Sequence, residues 1–89
     1  MQTLLVIDDE THVFDAFQRN FESPALRVIS ASSGEEGLEM IVREKPDVVV
    51  MDIRLGGMDG LSVLKEIRGR DMRVPVIMIS YADMLVRHP

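Results

Sequence analysis

"DVVVMDIRLGGMDGLSVLKEIR", residues 47–68, is the stretch whose reading decides the fold. Val48, Val49, Val50 and Met51 form an apolar run with no polar alternation, the pattern of a strand buried on both faces of a parallel sheet. The run closes on a single charge, Asp52, and Gly56, Gly57 and Gly60 then loosen the backbone. Leu61, Leu64 and Ile67 follow at helical spacing, with Asp59 placed as an N-cap and Gly69 as a C-cap. Strand, acidic turn and helix in this order make half of a βαβ unit.

Three more apolar runs lie outside this stretch: "TLLVI" (3–7), "LRVIS" (26–30) and "VPVIMIS" (74–80). The first and last read as buried strands, whereas the more mixed second suits an edge. Segments of helical period separate them. Phe14, Phe17 and Phe21 mark one face of a first helix, and Leu38, Ile41 and Val42 one face of a second. Ser33 and Glu36 have capping-box spacing, and "KPD" (45–47) stops the second helix and starts the third strand. The order β-α-β-α-β-α-β predicts one α/β domain over residues 1–89, with a doubly wound parallel sheet and right-handed crossovers. The nine residues after Ser80, "YADMLVRHP", have room for a turn or two of helix but not for another strand–helix unit.

Composition narrows the function classes. The chain has 89 residues, 46% of them hydrophobic, enough for a real core. Aromatics are only 4%, so aliphatic residues and seven methionines must fill that core. With no cysteine, disulfides and thiolate chemistry are excluded. A net charge of −5 argues against direct nucleic-acid binding. No apolar stretch reaches the length of a membrane span, and the N-terminus lacks the basic start of a signal peptide. A cytoplasmic, soluble domain with no membrane contact is the expectation.

Chemistry concentrates on the carboxylates. Ligands of open parallel sheets bind outside the carboxyl ends of the strands. Asp8 and Asp9 follow the first strand and Asp52 ends the third, so neighbouring first and third strands would bring three acids to one cleft. Any one of them could serve merely as a turn residue or helix cap. Acids on two strands at the same edge repel each other and call for a cation. Mg²⁺ suits them, being held by one or two carboxylates while it keeps several waters. Such a site also permits acyl phosphate formation, with Asp52 the better nucleophile because it projects singly from a central strand. Ser80, at the end of the fourth strand, has a hydroxyl suited to a phosphoryl oxygen or, equally, to local backbone.

The segments "LLVIDDE", "DVVVMDIRLGGMDGLSVLKEIR" and "VPVIMIS" resemble, in order and spacing, the receiver domain of bacterial two-component response regulators. The resemblance covers essentially the whole chain. It implies a flavodoxin-like sheet of order 2-1-3-4-5. It implies that Asp52 is the phosphoacceptor and that a sensor histidine kinase supplies the phosphoryl group. It further implies Mg²⁺ bound by Asp9, Asp52 and the backbone carbonyl of Arg54, with Asp8 acting largely through water. Ser80 would be the switch hydroxyl and Tyr81 the candidate aromatic switch. Such a domain is no turnover enzyme beyond Mg²⁺-dependent self-phosphorylation and slow autodephosphorylation. The stretch "IRLGGMDGLSVLKEIR" looks most like the receivers of regulators that activate transcription.

Departures from the family pattern set further expectations. Receivers continue with a fourth helix, a fifth strand, a lysine and a fifth helix, so this chain is expected to be a C-terminally truncated receiver of strand order 2-1-3-4. Its lysines, Lys45 and Lys65, do not take that place, and no catalytic lysine is assigned. Phosphorylation would then be slow or absent, and the alternative function is a silent fragment acting as an oligomerisation or interaction unit. An exposed fourth strand or uncovered sheet face would drive a dimer or higher assembly. Gly56 stands where the family usually has proline, and Tyr81 where it usually has a small residue. "GGMDG" (56–60) fits neither the Walker nor the dinucleotide pattern. A haloacid-dehalogenase-type phosphatase would want an acid where Arg54 stands. His12 is expected on an exposed turn, and Arg68, Arg70 and Arg73 in a solvated loop.

Overall fold

The computed structural model describes residues 1–79. Strands β1 (Gln2–Ile7), β2 (Leu26–Ala31), β3 (Val48–Asp52) and β4 (Val76–Ile79) alternate with helices α1 (Thr11–Phe21), α2 (Gly34–Glu44) and α3 (Gly60–Gly69). All strand pairs are parallel, and the order is β2-β1-β3-β4. This is the expected flavodoxin-like arrangement among the described residues. β2 takes the predicted edge, and β1 and β3 are neighbours with Ile7 opposite Met51.

The unbroken apolar runs exist because β1 and β3 are covered on both faces. Leu5, Ile7, Val49 and Met51 pack with Leu38 and Ile41 of α2 and Val63 and Ile67 of α3. Leu4, Val6 and Val50 point to the other face, where Val13, Phe14 and Phe17 of α1 meet them. The two-residue period of a strand divides each run between these layers. β4 starts later than its apolar run suggests. Residues 74 and 75 stay outside the strand, although the Pro75 carbonyl still accepts from the Val49 N–H at 2.9 Å. Proline has no N–H to give a ladder, so the strand proper begins after it.

Helix boundaries follow local chemistry. The Ser33 side chain accepts from the Glu36 N–H at 3.1 Å, and Asp59 accepts from the Ser62 N–H at 2.8 Å, so both N-caps form as expected. The Glu36 carboxylate reaches the Ser32 N–H at 2.5 Å instead of that of Ser33, one residue from the usual capping box. α2 ends on Lys45, left-handed at φ 48°. Gly69 is still helical, and Arg70 is the C-cap of α3 with the left-handed turn falling on Asp71 (φ 59°).

Three expected face residues turn outward: Phe21, Val42 and Leu61 are exposed. The inner faces carry Val13 on α1, Gly34, Gly37, Leu38 and Ile41 on α2, and Gly60, Val63 and Ile67 on α3. The arginine cluster is also more ordered than a solvated loop. Arg68 donates to the carbonyls of Met72 and Val74 at 2.8 and 2.9 Å, and Arg70 pairs with Glu66 at 3.0 Å. No helix among the described residues is long and apolar enough to cross a membrane.

Candidate functional site

The parallel register places the carboxyl ends of β1 and β3 side by side. β1 passes directly into Asp8, whose N–H continues the ladder by donating to the Ala31 carbonyl at 3.0 Å. β3 ends on Asp52, opposite Ile79 of β4. Both acids are buried, Asp8 being 7% and Asp52 6% exposed. Charged side chains are seldom this buried without a partner.

Each carboxylate is oriented by nearby backbone. Asp8 Oδ1 accepts from the Glu10 N–H at 2.8 Å, and Asp52 Oδ1 accepts from the Arg54 N–H at 2.9 Å. These are Asx-type turns, in which an acid satisfies the backbone two residues on. Asp8 Oδ2 is buried and has no hydrogen-bond partner. Burial raises the Asp8 pKa to about 6; the Glu10 N–H opposes the rise, and the charges of Asp52, Asp9 and Glu10 add to it. Asp9 lies on the exposed side of the turn, and its Oδ2 accepts from the Gly56 N–H at 3.3 Å.

The loop between β3 and α3 is held at both ends. Leu55 inserts into the core under α2 and α3, a role that sequence reading missed because the residue sits alone between polar and glycine neighbours. Gly60 abuts the end of β3: a Cβ there would lie 2.5 Å from the Asp52 carbonyl oxygen and 2.9 Å from the Ile53 Cα. Its N–H donates to the Ile53 carbonyl at 2.9 Å, so the start of α3 is fastened to the backbone beside Asp52. Gly57, at φ 80°, supplies the left-handed turn between these anchors.

The structure thus brings Asp8 and Asp52 together at one buried edge, with Asp9 beside them and turned to Gly56. Among the described residues, no three acidic or histidine side chains form a ready-made metal cage. Mg²⁺ needs only one or two carboxylates, and the orphaned oxygen of Asp8 within an all-oxygen donor set fits a hard divalent cation. Lys45 lies at the opposite, amino end of the strands, and Lys65 is on α3. His12 is exposed and stands 3.4 Å from the Glu10 carboxylate. Ser80 and Tyr81 lie outside the described residues.

Residues 4–87 match the response regulator receiver domain family. The chain is 39% identical over 80 residues to the alkaline phosphatase synthesis transcriptional regulatory protein PhoP of Bacillus subtilis, covering 90% of this chain and 33% of that protein. It is 35% identical to the transcriptional regulatory protein AfsQ1 of Streptomyces coelicolor, over 90% of this chain and 35% of that one. The chain therefore spans about a third of the length of these curated relatives. Among solved structures, the N-terminal domain of a response regulator receiver protein from Methanoculleus marisnigri JR1 superposes with a TM-score of 0.82 at 38% identity. That likeness covers 88% of this chain and 65% of the other.

Proposed function

The chain belongs to the response regulator receiver domain family, and on that premise we propose that Asp52 accepts a phosphoryl group from the phosphohistidine of a sensor histidine kinase. The observation that carries this reading is the buried pair Asp8 and Asp52, one oxygen of which has no protein partner. Two acids buried together at the ends of β1 and β3 cost stability, and a phosphoacceptor site gives them a use.

In this reading the Arg54 N–H holds Asp52 Oδ1 and fixes the carboxylate plane, so that Oδ2 is presented as the nucleophile. The phosphorus–nitrogen bond of the donor breaks as a phosphorus–oxygen bond to Asp52 forms, and the imidazole leaves with the electron pair. Asp9, Asp52 and the Arg54 carbonyl would hold Mg²⁺, with Asp8 acting largely through water. The bound cation supplies charge neutralisation, letting an anionic nucleophile meet an anionic donor. Gly60 and Leu55 keep the loop beside Asp52 in place. Ser80 is assigned the switch hydroxyl and Tyr81 the aromatic switch.

Incubation with Mg²⁺ and acetyl phosphate tests the assignment. A base-labile mass gain of one phosphoryl group is expected in the wild type and not in Asp52→Asn. No gain under conditions that label another receiver would favour the second reading, a silent self-associating module. That reading draws on Ile77, which is 53% exposed on the α1 side of β4, the outer strand among the described residues, where a second copy would pack.

A further inference from the structure

The hydrogen bond from Gly56 N–H to Asp9 Oδ2 joins two loops 47 residues apart in sequence, the turn after β1 and the loop after β3. We propose that it is a latch: the Gly56 N–H holds Asp9 in the metal-free protein, and a divalent cation binding at Asp9 releases it. The inference rests on the reading of Asp9 as a metal ligand and adds a residue, Gly56, that competes with the metal for it.

The geometry favours competition. At 3.3 Å between exposed groups the bond is long and its donor is neutral. A dication beside Asp8 and Asp52 attracts the Asp9 carboxylate more strongly, since a full double positive charge outweighs the partial charge of one amide hydrogen. Because Asp9 is exposed, its carboxylate can swing without disturbing the core. The loop on the other side is less mobile in its anchors. Leu55 is buried immediately before Gly56, and Asp59 caps α3 just after it, so release acts on the short span of Gly56, Gly57 and Met58. Met58 packs against the core, which ties this span to the α2–α3 layer.

Two substitutions separate the donor from the shape of the loop. Gly56→Ala keeps the N–H, and its Cβ would meet Asp9 Oδ2 at 3.4 Å, an ordinary contact. Gly56→Pro removes the donor and puts a ring carbon where the amide hydrogen was, so Asp9 must swing away. Heteronuclear NMR on the labelled full chain gives both readouts without phosphorylation. In EDTA, Asp9→Ala is expected to speed hydrogen exchange at Gly56 about fivefold, the fold-change of one ordinary hydrogen bond. In Mg²⁺ titrations followed at the Asp8, Glu10 and Arg54 amides, Gly56→Pro is expected to bind about fivefold more tightly than wild type, with Gly56→Ala within roughly twofold. The Gly56 amide of the wild type should shift in step with those amides.

Unchanged Gly56 exchange in Asp9→Ala would overturn the latch whatever the metal does. Equal or weaker Mg²⁺ binding by Gly56→Pro would overturn the competition, leaving the metal site standing. Absence of Mg²⁺-dependent shifts in every variant would overturn the metal reading itself and the inference with it.

Discussion

At Asp8, one carboxylate oxygen is held by the Glu10 N–H while the other is sealed from water without a partner, a combination that disfavours charge. The pKa of about 6 lies above the ordinary 3.8, so between these values the folded state binds a proton that the unfolded chain does not. Stability from this group is therefore highest below about pH 4, falls as pH rises to about 6, and is level above. Urea denaturation in EDTA is expected to show wild type losing ground to Asp8→Asn across that window, by on the order of 1–2 kcal/mol after solvent screening. Parallel stability curves would rule this out. The acids themselves were legible in the sequence, because a charge closing an apolar run is conspicuous and parallel topology dictates which edge it occupies. The Gly56 N–H was not, since every non-proline residue carries the same donor and only the fold decides where it points.

Among the elements, strands were easier to read than helix faces. Val48, Val49 and Val50 advertise a doubly covered strand whichever way the alternation is phased. Helix phase depends on which apolar residues are chosen, and choosing the largest on α3 put Leu61 on the inner face. The helix instead buries Gly60, Val63 and Ile67, because glycine lets it approach the end of β3 closely. α2 does the same with Gly34 and Gly37, the latter placed where a Cβ would meet the Ile7 side chain at 2.5 Å. Small residues that permit contact are silent in a search for large ones. Val63→Ala is accordingly expected to cost about 2 kcal/mol, two methyl groups and a residual cavity. Leu61→Lys should stay within about 0.5 kcal/mol of wild type. Thermal or urea unfolding distinguishes them, and a larger loss for Leu61→Lys would contradict the burial pattern.

For the whole molecule, one helix on one face of the sheet and two on the other leave different surfaces on each side. Ile77 is in register with Val50 and shares its face, yet it is exposed, whereas Ile79 further along β4 packs against the cluster that α1 covers. If a second copy packs there, light scattering at micromolar concentration will give a dimer for wild type and a monomer for Ile77→Lys. A monomeric wild type would remove this reading. The amino-terminal end of the sheet presents a different opportunity. Lys45 adopts φ 48°, a left-handed conformation that costs an ordinary residue about 1 kcal/mol and glycine almost nothing. Lys45→Gly is expected to raise the thermal midpoint by several degrees, offset in part by the greater entropy of the unfolded chain. Because this turn and the acids occupy opposite ends of the strands, durability and signalling chemistry can be engineered independently in this scaffold, one from each rim.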